Sequence, residues 1–200
     1  MKKKNRKNLN IIKNNFLLSL NFLRESKVFI YSIIGIFFFF VLMGFFVPVP
    51  EEISNQIIHL IEELLEKIEG LSQFELIEFI FLNNLQSSFL GMILGIFFGI
   101  FSVIVAIANG FLLGFVASAS VASEGIFILW RLLPHGIFEL PAIFISLGLG
   151  LKLSTFIFAK NKLMSLKNYL KKSLITFLFI ILPLLIIAAI IEGSLIFLSS

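Results

Sequence analysis

The sequence predicts an all-α protein, a polytopic membrane helical bundle of about five transmembrane helices with an extracytoplasmic amphipathic helical segment. Three observations predict it. Hydrophobic residues make up 58 % of the 200 residues and charged residues only 14 %, whereas soluble domains carry about 25 % charged residues. Several uncharged apolar runs approach the roughly 20 residues needed to cross about 30 Å of hydrocarbon. Charge is segregated between those runs: residues 1–27 balance to +7, residues 152–172 to +6 and residues 48–87 to −7. With 26 Phe, one Trp and a mean hydropathy of +1.05, the excess apolar surface must face lipid. The bilayer is therefore the first partner the chain requires.

The elements follow in chain order. Residues 1–27 form a basic N-terminal segment expected on the cytoplasmic side, where Lys and Arg flank membrane spans. Basic residues clustered beside apolar runs point to membrane retention and anionic-lipid contact, not to nucleic acid. Residues 28–47 form the first transmembrane helix, with Phe37, Phe38, Phe39 and Phe40 at its centre. Its far end, Phe46-Val-Pro-Val-Pro50, offers no small-residue cleavage site, so an uncleaved anchor is expected.

Residues 48–84 form an acidic extracytoplasmic helical cap. Within it, Ile53, Ile57, Ile61, Leu64, Leu65 and Ile68 recur with a helical period. Gly70 can end that helix. Ser72 followed by Glu75 matches a capping box and opens a second helix through Phe81. The segment is expected to lie over the outer ends of the spans. The sharper alternative is a docking face, residues 51–82, for a protein partner outside the membrane.

Residues 85–198 hold transmembrane helices 2 to 5. The 39 residues from 85 to 123 carry no charge, and as one helix they would be about 58 Å long. The chain must fold back within them, and Asn109-Gly110 is the expected turn. That places span two at 87–108 and span three at 111–123, the latter either a full crossing or a re-entrant piece. Span four runs from Phe138 to Ala159 and span five from Ser173 to Ile191. Five crossings put the N-terminus in the cytoplasm and the C-terminus outside. Gly91, Gly95 and Gly99, then Ala106, Gly110, Gly114 and Ser118, recur every fourth residue. Such a face lets helix backbones approach closely, within one chain or across a homo-oligomer.

Ionisable groups inside spans mark functional candidates. The densest stretch runs from Arg131 through Pro134, His135, Gly136 and Glu139 to Pro141. His135 and Glu139 lie one helical turn apart. Pro134 and Gly136 predict a broken start to span four, and Pro141 frees the carbonyl of Ile137. The topology brings Asn84, His135, Glu139 and Glu192 to one level near the outer boundary, with Asn109 at the inner turn. These four form either a ligand site or a structural polar network. One His and two carboxylates could also hold a divalent metal, with His135, Glu139 and Glu192 as candidate ligands. The chain has no Cys, no H-E-x-x-H motif, and only His59 as a second His. Ser120 and Ser123 lack a nucleophile-like setting. No catalytic residue is assigned and enzymatic activity is left open.

The run Leu133-Pro-His-Gly-Ile-Phe-Glu-Leu-Pro-Ala142, followed by Gly148-Leu-Gly150, resembles the signature of the stage II sporulation protein M family. Asn84, Asn109-Gly110 and Ile190-Ile-Glu192-Gly193 fit the same pattern, and the resemblance covers about residues 20 to 198. It marks Asn84, Asn109, His135, Glu139 and Glu192 as family-type positions without assigning their chemistry. The resemblance implies a polytopic membrane protein of the cell envelope, which in spore formers is a membrane partner of peptidoglycan-degrading proteins. The expected function is thus a membrane component of an envelope-remodelling or membrane-organising complex. Two alternatives stand beside it: a small transporter or channel for an ion, lipid or solute using the Asn/His/Glu site, and an intramembrane metal-dependent hydrolase.

Overall fold

The computed structural model describes the backbone of residues 2–128 and 133–199 and the side chains of 10–128 and 136–198. Its helices are α1 (Lys2–Phe46), α2 (Glu51–Ile68), α3 (Gln73–Leu94), α4 (Ile100–Glu124), α5 (Leu133–Ser154), α6 (Lys162–Thr176) and α7 (Leu182–Ser199). A 3-10 turn, Thr155–Phe158, follows α5, and a π-helical turn, Phe177–Ile181, carries α6 directly into α7. Five segments are long and apolar enough to cross a membrane: Asn10–Phe46, Gln73–Leu94, Ile100–Glu124, Gly136–Phe158 and Lys162–Leu198. The all-helical, five-span architecture is the one the sequence predicts.

Helix α5 is the centre of the bundle. More than half of its membrane window is buried, against a third or less for every other span. One side of α5 joins Phe22, Met92, Phe177, Ile181 and Leu185 through Ala142, Leu149 and Leu153. The other side joins Ile33, Phe37 and Ala106 through Ile143, Phe144 and Leu147. Phe37 meets Phe144 edge-on, with ring centroids 5.0 Å apart. Lipid tails give helices no hydrophobic reason to associate, so contacts of this kind and buried hydrogen bonds supply the cohesion. The Ser146 hydroxyl donates to the Ser88 carbonyl across α5 and α3 at 2.7 Å, and Ser102 donates to the Gly91 carbonyl across α4 and α3 at 2.9 Å.

The small-residue repeat is filled from within the chain. A Cβ on Gly110 would stand 2.5 Å from the Phe37 carbonyl oxygen, and one on Gly114 would collide with the Val41 carbonyl. On α1, Gly44 meets the Phe111 carbonyl in return. α1 and α4 therefore run parallel with backbones in contact, which only glycine permits at these positions.

The turn between the second and third spans is not where the sequence placed it. α4 runs unbroken through Asn109-Gly110, and the chain reverses at Gly95–Gly99. Phe98 (φ 57°) and Gly99 (φ 73°) take left-handed backbone there. Asn109 instead donates its side-chain amide to the Val105 carbonyl one turn back, at 2.8 Å. Residues 111–123 are the second half of a 25-residue helix and no re-entrant piece. The capping box at Ser72 and Glu75 is present, but its helix does not stop near Phe81. It continues as the span itself, so Asn84 lies in mid-helix and not at an outer entrance.

The start of α5 is also more regular than expected. Residues 133–136 are helical, with Pro134 in the first turn, where its missing N–H has no partner to lose. The break expected from Pro134 and Gly136 does not occur. A proline does mark irregularity elsewhere: the π-helical turn ends two residues before Pro183. Its wider backbone makes room for a ring that would clash with the carbonyl four residues back.

At the basic end, α1 is far longer than the hydrocarbon. Its 45 residues measure about 68 Å, so the N-terminal half projects beyond the bilayer core. There Glu25 pairs with Lys172 at 3.1 Å. The ammonium of Lys152 lies 5.1 Å from the Phe29 ring centroid and 4.8 Å from that of Tyr169. At the opposite end stands α2. None of its residues is buried.

Candidate functional site

Three helices, α3, α5 and α7, pack against one another pairwise. Their register follows from side-chain contacts. Gly193 of α7 faces Ile77 of α3 so closely that a Cβ would stand 2.6 Å from its Cγ1. The Gln73 amide donates to the Ser194 hydroxyl at 3.0 Å. Further along, Phe89 meets Phe177 with ring centroids 5.2 Å apart. α3 and α7 are therefore antiparallel, and Glu192 lies near the acidic end of the bundle, level with the first turns of α3.

Glu139 reaches the same level from α5, and its carboxyl lies beside that of Glu192. Both residues are half-buried, and Oε2 of Glu192 is sealed from outside. The pair brings carboxyls of two helices together, in a part of the chain where ionisable side chains are rare.

The other expected members of the site are placed differently. Asn84 is half-buried on α3, seven residues beyond Ile77 and so about 10 Å deeper along the helix. His135 begins the turn of α5 that ends at Glu139, but its side chain lies outside the described residues, as does that of Pro134. Trp130 and Arg131 lie outside them altogether. Asn109 is on α4 with its amide donating to the Val105 carbonyl of its own helix. Gly110 serves the contact with α1. Gly136 and Pro141 sit within α5, Pro141 exposed.

Among the described residues no group of three His, Cys, Asp or Glu side chains is placed to hold an ion. The third candidate ligand, His135, has its side chain outside the described residues.

Sequence reasoning did not single out Gln73 with Ser194, or Ser146 with Ser88. Each pair joins helices far apart in sequence, and no local spacing announces it. The serines carried a weaker signal, as small polar residues inside otherwise apolar spans.

Four apolar spans around a central one, with two carboxyls brought together near one end, define a multi-pass integral membrane protein. The model of the Stage II sporulation protein M family matches residues 33–195, from the middle of α1 to near the end of α7, and the chain belongs to that family. No curated protein and no solved structure matches it significantly.

Proposed function

We propose that this membrane protein is the membrane component of an envelope-remodelling or membrane-organising complex. In this reading the basic end is cytoplasmic, the C-terminus is extracytoplasmic, and residues 51–82 receive a protein partner outside the membrane. The observation that supports it is α2. The chain builds an 18-residue helix, holds it by a short linker at each end, and buries none of its residues. An element without a role in the chain's own core is free for an external one. Its polar side carries Glu62, Glu63 and Glu66 in the open, a ridge suited to a basic partner surface. The link between Glu139 and Glu192 then fixes how α5 and α7 sit beneath it.

Chemical crosslinking in intact membranes, followed by recovery of the protein, tests this reading. The native chain should capture a stable envelope protein. Changing Glu62, Glu63 and Glu66 together to Lys should abolish that capture while the protein still inserts. Equal capture by both forms would remove α2 from the account.

A second reading is a small transporter or channel for an ion, lipid or solute, with Asn84, His135, Glu139 and Glu192 as its polar site. The carboxyl pair favours it, because burying such groups in a span costs about 2.5–3.5 kcal/mol by insertion scales. Solute-dependent flux through reconstituted protein, lost in Glu139→Gln, would establish that reading in place of the first.

A further inference from the structure

We propose that the apolar side of α2 is covered by the outer interface of the same bilayer that the chain crosses. The first argument is one of reach. Four residues, 47–50, separate α2 from α1, and four more, 69–72, separate it from α3. A four-residue linker spans at most about 14 Å, while 18 helical residues measure about 27 Å. Phe37 is level with Phe144, and Ser88 with Ser146. Counting along from these contacts, the end of α1 and the first turns of α3 both come level with the start of α5. A helix tied at both ends to points at one height cannot stand upright, because that would lift one end beyond its linker. α2 therefore lies along the membrane plane.

The second argument is the shape of its apolar face. At 3.6 residues per turn, Ile57, Ile61, Leu64 and Ile68 mark the centre of an arc flanked by Ile58 and Leu60. The arc covers roughly 160° of the helix. The seam of a two-stranded coiled coil is narrower, which argues against a second copy of α2 as the occupant. His59, Glu62, Glu63 and Glu66 fall on the opposite side, and all are exposed. Laid flat, the helix puts its apolar arc at the boundary of headgroups and acyl chains and turns its acids to water. Leu60 and Leu65, 59 % and 56 % exposed, then have an apolar medium to enter. The inference does not rest on the partner proposed above, which would meet the acidic side.

The chain has no Cys, so one introduced thiol carries a unique spin label on the full-length protein in phosphatidylcholine nanodiscs. Ile57→Cys and Leu64→Cys sample the apolar arc, and Glu62→Cys and Glu66→Cys the acidic one. Gly35→Cys on α1, where a Cβ meets open space, supplies the hydrocarbon reference. Collision rates are read with oxygen, which concentrates in lipid, and with a water-soluble nickel chelate. The oxygen-to-nickel ratio should be several-fold higher at 57 and 64 than at 62 and 66, and should approach that at 35. Free access of nickel to 57 and 64 would overturn the proposal by placing the arc in water. Shielding of those positions from both probes would overturn it by showing a protein cover.

Discussion

The carboxyl of Glu139 on α5 lies beside that of Glu192 on α7, so two spans distant in sequence meet through carboxyl groups near one end of the bundle. Each carboxyl gives the other a polar partner where lipid gives none. The two should therefore behave as one unit under mutation.

Replacing either residue alone with Leu removes half of that unit, and replacing both removes all of it. Each single change should destabilise the protein, and the double change should cost less than their sum. The expected coupling is about 0.5–3 kcal/mol, the range for residues in direct contact. Unfolding in detergent micelles measures all four forms. Strict additivity would show that the two groups do not interact.

Gly114 and Gly35 make a matched pair for the contact between α1 and α4. A side chain at Gly114 meets the backbone of α1, which cannot give way as a side chain can, whereas at Gly35 nothing lies within 4 Å. Gly114→Val should lower stability by about 1–3 kcal/mol, as overpacking does. Gly35→Ala should leave it unchanged or slightly raised. Thermal unfolding of the two variants provides the comparison, and equal losses would contradict the close approach.

The reversal at Gly95–Gly99 yields a third expectation. Gly99 has a left-handed backbone, which costs a side-chain-bearing residue roughly 1–2 kcal/mol. Gly99→Ala should destabilise by about that amount, and Asn109→Ala by less. The reverse order, read from melting temperatures, would return the turn to Asn109-Gly110.

This reversal also shows how far the sequence could be read. Apolar runs and charge segregation made five spans legible, because lipid imposes a length and a polarity that few other environments do. The turn itself was hidden. Gly95-Ile-Phe-Phe-Gly99 is as apolar as the helices it separates, so polarity could not mark it. Asn109-Gly110 has turn chemistry, but the Asn amide bonds its own helix and the Gly admits α1. Both residues answer tertiary demands that local rules do not see.

The candidate site was legible in part for a related reason. Counting residues along spans puts Glu139 and Glu192 at one level, since a straight helix converts sequence into depth. The same count failed for Asn84, because it assumed that the span began after Ser72's helix had ended. One continuous α3 moves Asn84 deeper. The capping box announced where that helix starts, and nothing in the sequence announced that it would not stop.

An odd number of spans has its own test. Reporters active on only one side of the membrane, attached to each terminus in turn, should give opposite readings. Matching readings would require a span to be lost or gained.

The most direct test of the account sets partner capture against flux in Glu139→Gln, which preserves the size of the side chain and its capacity to hydrogen-bond Glu192. An organising component should still be crosslinked to its envelope partner from intact membranes, and native and variant protein alike should show no solute-dependent flux in vesicles. Flux through the native protein that vanishes in the variant, with no partner recovered from either, would contradict it.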